Sequence, residues 1–347
     1  MHTDTCRRHS DPKKADRLSH FETRLALETP PNHIMSSISV VVVNDPEYGI
    51  LLNSCAISKD GKFAVFGSGD AAIAYCYDVQ KKRFIHECNH GYGFVEDVAI
   101  SSDGSVGVYG ALDSMGVFSV KDNNCDYAIP LFDVKDAFQR PYVSSVAISH
   151  DGSIALGGDS ENTVMVANLV GDFHPYKLNT FAAADETDNE IKDLAISKDG
   201  RVAVGASDDK YLYVWNLESK DPEPTLAIEY ANPVQHVAIS SDGKTLLSHE
   251  QESSFIHVYS LNDDNTDVVT ERLIDTDHSD DINGFAITDD ASMLVTCSED
   301  KTIKVWNVTN GTCLEVKEFD RPIYTLSISS YGTTIIAVPR TDDRSPF

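Results

Sequence analysis

Seven copies of one short pattern run through the chain and constrain it more than any other feature. Cys55-Ala-Ile-Ser-Lys-Asp-Gly61 is followed by Val98-Ala-Ile-Ser-Ser-Asp-Gly104, Val146-Ala-Ile-Ser-His-Asp-Gly152 and Leu194-Ala-Ile-Ser-Lys-Asp-Gly200. Val237-Ala-Ile-Ser-Ser-Asp-Gly243, Phe285-Ala-Ile-Thr-Asp-Asp-Ala291 and Leu326-Ser-Ile-Ser-Ser-Tyr-Gly332 complete the set. At the glycine-equivalent position the steps are 43, 48, 48, 43, 48 and 41 residues. A period of this length, held seven times, means identical small units, none able to bury its apolar faces alone. The 347 residues therefore read as one repeat domain.

Each copy has isoleucine at one place and Ala or Ser, then Ser or Thr, on the opposite face of the strand. One bulky side and one small side suit a strand buried on both faces near a crowded axis. Asp-Gly then supplies the left-handed residue of a tight hairpin. A second strand follows, such as Val202 to Ala206, then a polar turn and a third strand ending in Tyr77, Phe118, Trp215, Tyr259 or Trp306; the third copy has Ala167 there. A fourth strand closes each unit, for example Val268–Ile274 and Cys313–Phe319. Four antiparallel strands per period make a propeller blade. The expected fold is all-β: a seven-bladed β-propeller of four-stranded antiparallel blades, spanning 37–347.

The seventh copy supplies only two strands before Pro339 interrupts. Ile38–Asn44, a β-branched run with no blade of its own, is expected to close the ring as the outer strand, which removes an exposed sheet edge. Residues 22–28, which alternate, are assigned to the third strand, and the rest of 1–36 reads as a mobile tail.

Charge sets the class of partner. The chain holds 28 basic and 55 acidic side chains, net -27, while residues 1–36 carry six basic and five acidic, so the acidity belongs to the folded part. Such a field repels phosphate backbones and anionic lipid and favours basic protein segments. No direct nucleic-acid or membrane contact is expected, and no apolar run approaches a membrane span. Seven scattered cysteines without a C-x-x-C arrangement read as free thiols in a reducing compartment, cytoplasmic or nuclear.

Asp300-Lys-Thr-Ile-Lys-Val-Trp-Asn307 and Asp208-Asp-Lys-Tyr-Leu-Tyr-Val-Trp-Asn216 resemble the ends of WD-repeat units. The resemblance covers about 37–347 and implies a buried hydrogen-bonded set of His, Ser or Thr, Asp and Trp. The sixth copy matches it with His278, Thr296, Asp300 and Trp306. His278 in Asp275-Thr-Asp-His-Ser-Asp-Asp281 is accordingly read as structural rather than as a metal ligand. The other copies lack the full set and are expected to rely on apolar packing. Leu261-Asn-Asp-Asp-Asn-Thr-Asp267 lacks the Gly and terminal Glu of a calcium loop and reads as a solvated loop between strands.

No phosphate loop, nucleophile elbow or H-E-x-x-H motif occurs, so no cofactor, metal or catalytic residue is expected. The runner-up is a channel-centred propeller enzyme (lactonase, hydrolase or redox type). It would need convergent polar groups on the inner strands, where the interruptions are Asp97, Asp193 and His236. The resemblance implies instead a non-catalytic scaffold or adaptor, monomeric within a complex. In that family the connections between blades and the turns after the second strands share one face. Here they carry Glu96, Asp97, Asp185, Glu186, Asp188, Asp208, Glu250, Asp277 and Asp280, with Tyr92, Phe94 and Tyr142 among them. That acidic face is the expected dock for basic peptide or protein segments.

Overall fold

The computed structural model describes residues 21–24, 38–43, 51–89, 93–112, 114–121, 124–130, 142–170, 175–180, 189–219 and 221–340, with the backbone alone at 21–24 and 124–130. All regular structure among them is strand, arranged as seven sheets of four. Six blades use consecutive strands, over 52–89, 97–130, 143–178, 191–229, 234–275 and 282–318. Blade 6, for instance, runs Ile282–Ile287, Met293–Ser298, Thr302–Asn307 and Thr312–Glu318, each pair antiparallel. Each signature forms a first strand. Neighbouring first strands touch all the way round, including Ile323–Ile328 against Leu52–Ile57, so the ring closes.

The two faces of the signature do different work. Ile57 packs with Ile336 and Val338 of the preceding blade, whereas Ala56 meets Val65 and Val98 on the side of the next. Ile287 and Ala286 divide in the same way between blades 5 and 7. The signature hydroxyl organises the hairpin that follows. Ser197 Oγ donates to Asp199 at 2.7 Å and accepts the Val202 N–H at 3.0 Å, and Ser149 and Ser101 repeat this arrangement. The next residue in each turn is left-handed: Gly200 has φ 72°, and in blade 6 Ala291 adopts φ 49° in its place.

At the end where the first strands finish, a backbone belt joins the blades. The N–H of Lys59 donates to the Ser102 carbonyl at 3.1 Å, and Ser102 to His150 at 3.0 Å. Lys198 donates to Ser241, Ser241 to Asp289, Asp289 to Ser330, and Ser330 back to Lys59, over 2.8 to 3.4 Å. These are equivalent positions, one after the signature Ser or Thr in each copy. Asp289 adds a side-chain clasp across blades 6, 7 and 1, pairing with Lys59 and accepting from Ser330 Oγ at 3.0 Å.

The closing blade departs from the expected order. Ser39–Val42 is its third strand, parallel to Thr334–Pro339 with Ser39 opposite Thr334 and Val42 opposite Ala337. Phe21–Arg24, not the 38–44 run, is outermost, and it pairs antiparallel with Ser39–Val42. The run at 38–43 is apolar on both faces. Ile38 and Val40 join Ile303 and Val305 of blade 6, while Val41 and Val43 join Phe66 and Ile57 of blade 1. A strand that must bury both faces belongs inside the sheet, and only a shorter alternating one is suited to the edge.

The cysteines also need correction. Cys55, Cys76 and Cys297 are buried free thiols and Cys313 an exposed one, but Cys88 is disulfide-bonded, its partner lying outside the described side chains. Spacing along the chain does not reveal which segments a ring lays side by side. Thiol usage therefore no longer argues for a reducing compartment.

Burying an unpaired carboxylate at the closing strand should be severely disruptive. Val40→Asp is expected to cost about 3 kcal/mol or more in urea unfolding; a loss under about 1 kcal/mol would mean that 38–43 does not close the ring.

Candidate functional site

Two sets of side chains were singled out in the sequence, one inside blade 6 and one on the acidic face. The structure brings the first together. Trp306 Nε1–H donates to Thr296 Oγ1 at 3.1 Å, and Thr296 lies 2.7 Å from His278 Nε2. His278 Nδ1 is 2.8 Å from an Asp300 oxygen, and Asp300 also accepts from Thr302 Oγ1 at 2.7 Å and the Ser279 N–H at 3.1 Å. Burial alone would raise the Asp300 carboxyl, but the Thr302 hydroxyl, His278 and the Ser279 amide outweigh it and hold it at about 2. Desolvation keeps His278 below its usual range, despite Asp300. The imidazole is then neutral with its proton on Nδ1, and the relay runs from Trp306 to Asp300 with every acceptor used. Lys304 finishes the staple: it is 9% exposed, and its ammonium donates to the carbonyls of Thr276 and Asp277 at 3.0 and 2.6 Å.

Other blades do not fall back on apolar packing alone, contrary to the expectation from sequence. In blade 5 Tyr230, four residues before the first strand as His278 is, donates or accepts at Ser248 Oγ (2.5 Å) and Tyr259 Oη (2.6 Å). His257 extends that set to Glu271 at 3.0 Å. In blade 4 Asp209 accepts from Tyr213 Oη and from Asn162 of blade 3, both at 2.6 Å, and Trp215 Nε1 donates to the Asn179 carbonyl at 3.0 Å. A tyrosine can occupy the histidine's place, and an asparagine from the preceding blade's turn can donate to the aspartate, which is why a pattern keyed to histidine missed them.

The three polar inner-strand residues belong to a second ring. Ser54, Asp97, Ser145, Asp193, His236, Gly284 and Thr325 all stand one residue before a signature. In six blades the pairing with the second strand slips at this point, a bulge that turns the residue toward its neighbour. Ser54 Oγ accepts the Val98 N–H of blade 2 at 3.1 Å, and Asp97 accepts the Val146 N–H of blade 3 at 2.8 Å. Ser145 accepts Leu194 N–H at 3.0 Å, and Asp193 accepts Val237 N–H at 2.9 Å. Asp97 further accepts from Ser54 and Ser145 hydroxyls at 2.6 and 3.2 Å, so both its oxygens are taken. Serine and aspartate are interchangeable here because each offers an acceptor to the next blade.

Asp193 is the least settled member. Desolvation in the channel wall, aided by Asp97, pushes its carboxyl to about 8 although it accepts two amides. His236, 3.8 Å away, gives no compensating charge, since burial and His249 push it down to about 3. Walls surround both side chains, yet they keep 29% and 27% exposure toward the axis.

On the outer part of the same end, the second-strand turns latch onto the residues leading into the first strands. Ser160 N–H donates to the Tyr142 carbonyl, Asp208 to Glu190, Gln251 to Pro233, Glu299 to Asp281 and Arg340 to Pro322. The connections and turns therefore share one face. Phe94 is 51% and Tyr142 38% exposed on it. Glu190 and Asp208 share a single cation, Lys192, at 2.6 and 3.0 Å. Asp277 and Asp280 are exposed; Glu250 is half-buried and holds the Asn232 amide at 3.2 Å. Glu96 is half-buried, and Asp97 serves the axial ring rather than the rim. Tyr92, Asp185, Glu186 and Asp188 lie outside the described residues. No group of three or more His, Cys, Asp or Glu among the described residues could hold a metal ion. The acidic loop 261–267 is organised by Asn262, whose Oδ1 accepts the Thr266 and Asp267 amides at 2.8 and 3.2 Å.

Residues 176–216 and 271–307 match the family described as WD domain, G-beta repeat. Over 160 residues, 45% of this chain and 13% of the relative, it is 31% identical to Topless-related protein 4 of Arabidopsis thaliana. It is 34% identical over 83 residues, 24% of the chain, to periodic tryptophan protein 2 of Saccharomyces cerevisiae, covering 8% of that protein. Cilia- and flagella-associated protein 57 A of Tetrahymena thermophila is 34% identical over 76 residues, 22% of the chain and 6% of the relative. The matches thus span a small fraction of these curated relatives' lengths.

Two substitutions separate packing from hydrogen bonding at the staple. Trp306→Ala should cost about 3–5 kcal/mol and Trp306→Phe about 1–2 kcal/mol in denaturant unfolding; wild-type stability in Trp306→Phe would deny the indole N–H a role. At the axis, folded Asp193 retains a proton that the unfolded chain has released above about pH 4. Its contribution is therefore present at acid pH and lost as pH rises toward about 8. The melting temperature of Asp193→Asn should fall less than wild type's across that window, and identical slopes would overturn the assignment.

Two stretches that match WD repeats, set in a ring of seven four-stranded blades, make this chain a seven-bladed β-propeller that carries WD repeats, with no particular subfamily indicated.

Proposed function

We propose that this protein is a non-catalytic interaction scaffold whose acidic face docks basic peptide or protein segments. The observation that carries the reading is the excess of carboxylates over cations among that face's described residues. Glu190 and Asp208 divide one lysine between them, with Asp277 and Asp280 exposed nearby along the rim. In a chain of net charge -27 such a surface attracts basic segments from a distance and repels polyanions. Exposed Phe94 and Tyr142 offer contact area that charge alone does not supply.

The enzymatic alternative rests on the axis, and the bonding there favours the scaffold. Asp97 has both oxygens committed to neighbouring blades, and Asp193 accepts amides from its own blade and the next. A general acid or base needs a free atom aimed at a substrate. These groups spend theirs on holding strands together.

Charge reversal tests the docking role. Replacing Glu96, Asp277 and Asp280 by lysine should weaken binding of an oligolysine peptide at least about tenfold at low salt, and 0.3 M salt should weaken wild-type binding similarly. Unchanged affinity in a variant of wild-type melting temperature would exclude the face as the docking surface.

A further inference from the structure

The acidic face has an apolar centre that the fold does not require. The turn after each second strand often holds a left-handed residue, and in blades 3 to 6 it is polar: Asn162, Lys210, Glu252 and Lys301. In blade 2 it is Leu112, at φ 39° and 40% exposed. A leucine there combines backbone strain with an apolar side chain in water, where Asn or Gly would relieve both. The side chain lies directly over Gly93, where any Cβ would strike Leu112 Cγ at 2.6 Å, and Gly93 leads straight into Phe94. The Leu112 carbonyl accepts the Val143 N–H at 2.7 Å, which brings Tyr142 alongside. Phe94, Leu112 and Tyr142 thus form one exposed apolar patch at the seam of blades 2 and 3.

Carboxylates border that patch on the blade 4 side. Tyr142 Oη donates to Glu190 at 2.9 Å. Burial first, then Glu190, then Glu96 and Asp208 hold the phenol neutral well above its usual range, so all three carboxylates lie within electrostatic reach of one ring. Glu190 and Asp208 share Lys192 on this side.

We propose that this seam is a two-part docking subsite. The patch of Phe94, Leu112 and Tyr142 receives a bulky apolar side chain of a partner, and Glu96, Glu190 and Asp208 receive a lysine or arginine within a few residues of it. The inference rests on the acidic-face reading above and names the segment chemistry that reading leaves open. Charge complementarity selects the occupant: an apolar patch fenced by carboxylates rejects a purely hydrophobic or acidic segment, and a purely basic one leaves the patch wet.

The test compares two labelled peptides of equal charge, Gly-Lys-Lys-Leu-Phe-Lys-Lys-Gly and Gly-Lys-Lys-Ser-Gly-Lys-Lys-Gly, by fluorescence anisotropy on the full chain. Wild type should bind the Leu-Phe peptide about tenfold or more tightly than the Ser-Gly one. The double variant Leu112→Asn, Phe94→Ser should lose that preference while binding the Ser-Gly peptide as wild type does. Asn suits the turn, as Asn162 shows at φ 58° in blade 3, so the fold is kept. Equal wild-type affinities, or a preference that survives in the double variant, would overturn the subsite and leave acidic-face docking standing. Failure of both peptides to bind would overturn both.

Discussion

Seven strands packed around one axis must be joined to one another without side chains large enough to fill the space between them. The structure solves this at both ends of the inner strands. At one end six backbone bonds run from blade to blade through Lys59, Ser102, His150, Lys198, Ser241, Asp289 and Ser330. At the other, Ser54, Asp97, Ser145 and Asp193 pass an acceptor to the next blade's amide. Everything further out, including the mixed core between sheets, hangs on these two belts. Small Ala-type residues on one strand face and Ile on the other let the sheets come close enough for the belts to form.

The belts that carry stability and the face proposed for docking are consequently different places. The staple in blade 6, the tyrosine set in blade 5 and the axial acceptors are bonded groups, and Asp193 keeps its proton because burial penalises its charged form. Outside the belts, the turns and connections of one face are latched in position by backbone bonds. A backbone held in this way suits the proposed docking role, because little ordering entropy is then lost on binding.

Much of this was legible beforehand. The seven signature copies gave the blade number, and the His278 to Trp306 segment gave the best-formed unit. Ser54, Ser145 and Thr325 sat in plain view one residue before each signature, yet their role depends on a bulge that periodicity does not show. Tyr230 was hidden by chemistry, since it does histidine's task with a phenol. The closing blade misled because a parallel partner is unusual in a hairpin-built ring, although the two-faced burial of 38–43 was the clue to its inner position. Cys88 shows the general limit: which thiol is paired is a property of the folded molecule, not of spacing along the chain.

The central claim is that the belts make seven sequential units one cooperative body, unlike an open repeat array in which each unit opens semi-independently. Native-state hydrogen exchange tests it most directly. Amides of Val98, Val146, Leu194 and Val237, bonded to the axial ring, and of Lys59, Ser102, Ser241 and Ser330, in the backbone belt, should share one opening free energy equal to that of global unfolding. A graded series of free energies from blade to blade would contradict the account.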